Sequence, residues 1–150
     1  MLIRLENKIA STNSLQFGRG NSYRTANYHK SQQELVTKFQ ECGIIIDTDK
    51  AIQVTFRMYY PIPKSVNVKK RPYPTKRSTG DIDNIKILFD SLMLATKESW
   101  KNKKEKPLFD DSQVVDLVVQ QRYWSESDYG LDVSYKILEE GEDTWEKMNK

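Results

Sequence analysis

Between Ala51 and Tyr60 apolar and polar side chains alternate: Ile52, Val54, Phe56, Met58 and Tyr60 fall on one side of an extended chain, Gln53, Thr55, Arg57 and Tyr59 on the other. A period of two is that of a β-strand with one buried face. Leu131, Val133, Tyr135 and Ile137 alternate in the same way with Asp132, Ser134 and Lys136. The apolar run from Val114 to Val119, interrupted only by Asp116, predicts a more central strand. Ser125 to Gly130 can turn between these two strands, which predicts a C-terminal antiparallel hairpin.

Helical spacing appears twice. Ser31-Gln-Gln-Glu34 reads as a capping box opening a first helix, with Leu35, Val36 and Phe39 on its buried face and Gly43 ending it in the left-handed conformation. A second helix is predicted from about Asp83 to Lys97, where Ile87, Phe89, Leu92, Met93 and Leu94 cover the broad arc of a well-buried helix. Leu2 to Ile9 makes a weaker first strand. The sum is β-α-β-α-β-β, a single small α/β domain with a mixed sheet over 1–138, followed by an acidic C-terminal tail over 139–150. Ala10 to Lys30, Pro61 to Gly80 and Glu98 to Phe109 remain as loops, and loops of this length in a small domain point to function or disorder.

Hydrophobic residues are 37% and charged residues 30% of the 150, enough for one core with little to spare. Cys42 is the only cysteine and His29 the only histidine. That excludes an internal disulfide and a Cys/His zinc site, so any metal chemistry must use oxygen ligands. Neither residue is assigned a chemical role. No membrane span or signal-peptide pattern is present, so the expected setting is cytoplasmic, with Cys42 reduced.

The net charge of +3 conceals a gradient: from Lys64 to Lys106 twelve Lys or Arg stand against five Asp or Glu, and the tail from Glu139 holds five acids against two lysines. A basic middle suits a polyanion, although a solvated lysine-rich face would look the same. Lys69, Lys70, Arg71, Lys76 and Arg77, with Tyr73 among them, lie in the second loop, and Lys101, Lys103 and Lys104 in the third. These are the candidate polyanion-binding residues. Both loops flank the second helix, which predicts that they rim one surface.

Within this basic region lies Gly80-Asp81-Ile82-Asp83-Asn84, and after the lysine loop comes Phe109-Asp110-Asp111-Ser112-Gln113-Val114-Val115. One aspartate suffices to cap a helix; a second close by is repelled unless a cation lies between them. Two acidic pairs, one opening a helix and one a strand, can converge into a cluster of hard oxygen ligands. Inside a basic surface such a cluster suits Mg²⁺-assisted phosphodiester chemistry.

These blocks resemble the RusA-type Holliday junction resolvases, small endonucleases common in phages and prophages. The matching pieces are Asp81-Ile82-Asp83-Asn84, Lys86, Asp90-Ser91-Leu92 and Asp110-Asp111-Ser112-Gln113-Val114-Val115. Ser11-Thr12-Asn13 and the Tyr/Arg-rich segment before the first helix are similar more loosely. The likeness spans about Leu2 to Ile137 and leaves the acidic tail without a counterpart. One departure stands out: only Ile85 separates Asn84 from Lys86, where the family pattern has two residues. Outside the first turn of a helix, a one-residue loss rotates Lys86 by about 100°.

The resemblance implies an endodeoxyribonuclease that hydrolyses branched DNA, including four-way junctions, in paired nicks with Mg²⁺, or alternatively Mn²⁺. Asp81, Asp83 and Asp111 would then be both catalytic and metal-binding, Lys86 the catalytic lysine, and Asp110, Asn84 and Asp90 supporting neighbours. Lys69, Lys70, Arg71, Tyr73, Lys76, Arg77, Lys101, Lys103 and Lys104 would be the DNA-binding residues, with Tyr73 either stacking on an unpaired base or simply stiffening its loop. It implies a homodimer with no membrane association, working in a bacterial host cell's cytoplasm and encoded by phage or prophage. Two readings from other classes remain open: a catalytically inactive branched-DNA-binding protein of the same fold, and a structural component whose basic loops bind RNA or an acidic protein.

Overall fold

The computed structural model describes residues 2–6, 8–9, 15–18, 21–24, 26–74, 86–126 and 128–139, with the side chains of 15–18, 21–24 and 119–122 left aside. In chain order the elements are β1 (Leu2–Leu5), β2 (Leu15–Gly18), β3 (Asn21–Arg24), α1 (Ala26–Glu41), β4 (Ile52–Pro61), α2 (Lys86–Ala95), β5 (Val114–Ser125) and β6 (Tyr129–Ile137). The main sheet is four-stranded and mixed, in the order β1-β6-β4-β5, while β2 and β3 pair antiparallel as a separate ribbon. The α/β class and the β-α-β-α-β-β order are as expected, with the ribbon added inside the segment read as the first loop.

Strand β4 is the centre of the sheet. Ile52, Val54, Phe56 and Met58 are buried, and the Phe56 ring meets Phe89 of α2 edge to face, with centroids 5.1 Å apart. Tyr28, Leu35, Val36 and Phe39 of α1 join the same core as Ile87, Leu88 and Leu92 of α2. Both helices therefore cover the Phe56 face. Gln40 of α1 donates to the Ala95 carbonyl oxygen near the end of α2, and Tyr28, early in α1, reaches Asp90 of α2, so the helices run in the same general direction.

The expected C-terminal hairpin does not form. Strands β5 and β6 are consecutive and opposite in direction, but β4 lies between them, parallel to β5 and antiparallel to β6. A strand-helix-strand crossover sets β5 parallel beside β4, and the returning strand takes β4's other edge. The apolar run that suggested a central strand thus sits at the sheet edge, where Val115 is 64% and Leu117 41% exposed.

Helix α1 starts five residues earlier than the capping box implied. Ser31 is buried inside it, and Glu34 accepts a hydrogen bond from the Glu6 backbone N–H after β1 instead of capping its own helix. The buried Tyr28 extends the apolar face toward the N-terminus, a tertiary gain that outweighs the local signal. The C-terminus is as expected: Gly43 has φ 69°, its N–H bonds to the Gln40 carbonyl, and Ile44 N–H bonds to the Phe39 carbonyl. This is a Schellman ending with Phe39 and Ile44 both buried beneath it. The described part of the second helix is Lys86–Ala95; the expected start at Asp83 lies outside the described residues. So do residues 140–150 of the acidic tail, Trp145 included, while Glu139 pairs with Lys50 at 3.1 Å.

Candidate functional site

Asp81, Asp83, Asn84, Lys76 and Arg77 lie outside the described residues. Lys86 opens α2, and its Nζ is 3.1 Å from Oδ1 of Asp90, one helical turn on. The other carboxylate oxygen, Oδ2, accepts from the Tyr28 hydroxyl at 3.3 Å. Asp90 is thereby engaged at both oxygens, by one residue of its own helix and one of α1. That makes it a holder of Lys86 and leaves it poorly suited to bind a metal.

The Asp110-Asp111 pair is arranged differently. Asp110 caps a 3-10 turn over Asp111–Gln113: its Oδ1 accepts from Ser112 N–H at 2.9 Å, and its own N–H donates to Oε1 of Gln113 at 2.8 Å. Hydrogen bonding from Ser112, through its side chain first and its backbone second, holds the Asp110 carboxyl below its usual value. The Gln113 amide also donates to the Thr48 and Lys50 carbonyl oxygens, at 2.7 and 3.0 Å. The turn is thus fastened to the segment that leads into β4. Gln113 was not singled out as a site residue, yet Asp-x-x-Gln has the spacing of a capping box and signalled it.

Asp111, next to this fixed cap, is exposed; its carbonyl accepts from Val114 N–H, but its carboxylate has no hydrogen-bond or ion-pair partner among the described residues. An unengaged carboxylate on a rigid turn is a hard oxygen donor that fits a divalent cation. Among the described residues no group of three His, Cys, Asp or Glu stands at metal-binding spacing. The turn touches α2 and follows the buried Phe109; Leu108 N–H bonds to Thr96 Oγ1 just past the end of α2. Asp110 and Asp111 therefore sit on a turn packed against α2, the helix that Lys86 opens.

The basic loops also separate. Residues 62–74 fold onto the far end of β5, where Ile62 N–H bonds to the Ser125 carbonyl and the Trp124 indole N–H donates to the Arg71 carbonyl at 2.9 Å. Lys69, Lys70 and Arg71 are exposed there. Lys101, Lys103 and Lys104, also exposed, belong to the loop after α2. That loop is organised by the buried Lys97, which donates to the Trp100 and Asn102 carbonyls, and by Glu105, which accepts from Glu98 and Ser99 N–H. The first of these loops is thus bound to the end of β5, at Trp124 and Ser125, while the other leads from the end of α2 into the start of the same strand.

No helix among the described residues is long and apolar enough to cross a membrane. The model of one protein family, described as endodeoxyribonuclease RusA, matches residues 8–134. No curated protein matches the chain.

Proposed function

Because the chain belongs to the endodeoxyribonuclease RusA family, whose members are metal-dependent Holliday junction endonucleases, we propose that it cuts four-way and other branched DNA in paired nicks by hydrolysing phosphodiester bonds. The observation that carries this reading is the Asp110–Gln113 turn, which leaves the Asp111 carboxylate exposed and unpartnered among the described residues. Asp81, Asp83 and Asp111 would hold Mg²⁺ or Mn²⁺. When bound, the cation supplies an activated water and offsets charge on the phosphate. Lys86 contributes a positive charge for the phosphate or leaving oxygen, held by Asp90 in one direction. Asp110 and Gln113 fix the backbone that carries Asp111. Paired nicks on a two-fold substrate call for two sites related by symmetry, hence a homodimer.

The test is a synthetic four-way junction beside a matched linear duplex, with and without Mg²⁺, comparing wild type with Asp83→Asn. Cutting of the junction by wild type, and its loss with retained binding in Asp83→Asn, is expected. Junction binding by wild type without any cutting would establish the inactive DNA-binding alternative. Absence of any preference for branched DNA would overturn both.

A further inference from the structure

On the sheet face opposite the helices, Tyr59 of β4 and Tyr123 of β5 are register partners, and their rings stack with centroids 5.5 Å apart and planes 25° from parallel. Tyr73, from the basic loop, approaches Tyr123 at 6.5 Å and 62°, and is itself 49% exposed. Across Tyr59's other strand neighbour lies Gly130, which offers no side chain to cover the ring. Three tyrosines thus form a ladder from the sheet to the loop. The loop is pinned to β5 by the Trp124–Arg71 bond, and the exposed Lys69, Lys70 and Arg71 lie in it two to four residues before Tyr73.

We propose that Tyr59, Tyr123 and Tyr73 form a stacking platform for unpaired nucleobases, with Lys69, Lys70 and Arg71 holding the phosphates of the same strand. The inference deepens the branched-DNA reading and rests on it for the source of the unpaired strand. Its physical basis is the pairing of π faces with adjacent cations. Aromatic rings on a sheet face take up bases irrespective of sequence, and lysines and arginines follow the backbone.

The platform is tested with full-length protein in EDTA, so that cutting plays no part. The probes are oligothymidylate carrying one fluorescent aminopurine base, and a duplex of the same length. Wild type should bind the single strand and quench the aminopurine by stacking. Tyr73→Ala should weaken that binding about tenfold while changing duplex binding less than about twofold, and Tyr73→Trp should restore it. Tyr123→Leu should act like Tyr73→Ala, with its melting temperature measured to confirm folding. No quenching by wild type, or equal losses on single strand and duplex, would overturn the platform. A failure to cut junctions with Mg²⁺ would instead count against the nuclease reading and leave this result untouched.

Discussion

The hydroxyl of Tyr28 on α1 lies 3.3 Å from Oδ2 of Asp90 on α2, whose Oδ1 is 3.1 Å from the Lys86 ammonium. A residue buried in the core is thereby linked through one carboxylate to the lysine that opens α2. Because Lys86 and Asp90 are four residues apart, they face the same side of the helix despite the residue missing before Lys86. Asp90→Asn removes the charge that holds the ammonium, so junction cutting should fall roughly 10- to 100-fold with junction binding preserved. Tyr28→Phe keeps the packing and loses one hydrogen bond, so it should cost about 1 kcal/mol in urea unfolding and affect cutting less than Asp90→Asn. Equal effects on binding and cutting in Asp90→Asn would count against a positioning role.

Asp110 and Asp111 are adjacent, yet only Asp110 is committed to the backbone. Asp111→Asn should lower the cutting rate by more than about 100-fold, beyond what loss of a residue that merely supports a ligand brings. Its melting temperature should stay near wild type, since no bond among the described residues is lost. Asp110→Asn should show the reverse balance: a measurable loss of stability and a smaller loss of rate. Single-turnover cleavage and thermal melting of both variants separate the two roles.

Hydrogen bonding to Ser112 lowers the Asp110 carboxyl from 3.8 in the folded protein. A depressed carboxylate contributes stability that is fully present above the unfolded value and disappears as pH falls through the lower folded value. The gap in melting temperature between wild type and Asp110→Asn should accordingly be constant at neutral and mildly acidic pH, then narrow as the pH drops through and below 3.8. A gap that widened on acidification would contradict the cap.

Gly43 adopts φ 69°, and a Cβ built on it meets nothing within 4 Å. Gly43→Ala is therefore free of steric collision and feels only the left-handed backbone, which should cost about 1 kcal/mol in urea unfolding. Gly43→Asn should cost less, because asparagine tolerates that conformation.

The strand at 52–61 and the end of α1 were legible because their signals are local: a period of two, and a glycine after an apolar turn. The placing of β5 at the sheet edge was not, since its run from Val114 to Val119 says that it is apolar without saying which strand it joins. That choice is made by the crossover through α2. Likewise Ser31 and Glu34 have capping-box spacing, and only the burial of Tyr28 and the reach of Glu34 to Glu6 N–H reveal that the helix started earlier. At the candidate site, the carboxylate of Asp111 and the lysine at 86 could be picked out by residue type. The stack of Tyr59 on Tyr123 could not, because it depends on the register between strands some sixty residues apart.

The two basic loops meet β5 at its opposite ends, one bound at Trp124 and the other leading into Val114, which makes the extent of DNA binding measurable. Each phosphate neutralised releases counterions and steepens the fall of log affinity with log salt by about 0.9. Replacing Lys69, Lys70 and Arg71 together by Gln should flatten this slope on a four-way junction by up to about 0.9 for each phosphate no longer neutralised. Lys101, Lys103 and Lys104, replaced together, should flatten it similarly if the bound arms pass both loops. A slope unchanged by the second set would confine the DNA to the end near Trp124, and Lys101, Lys103 and Lys104 would be a solvated face. Combining both sets should add their effects, since the two sets lie in separate loops that share no hydrogen bond or ion pair among the described residues.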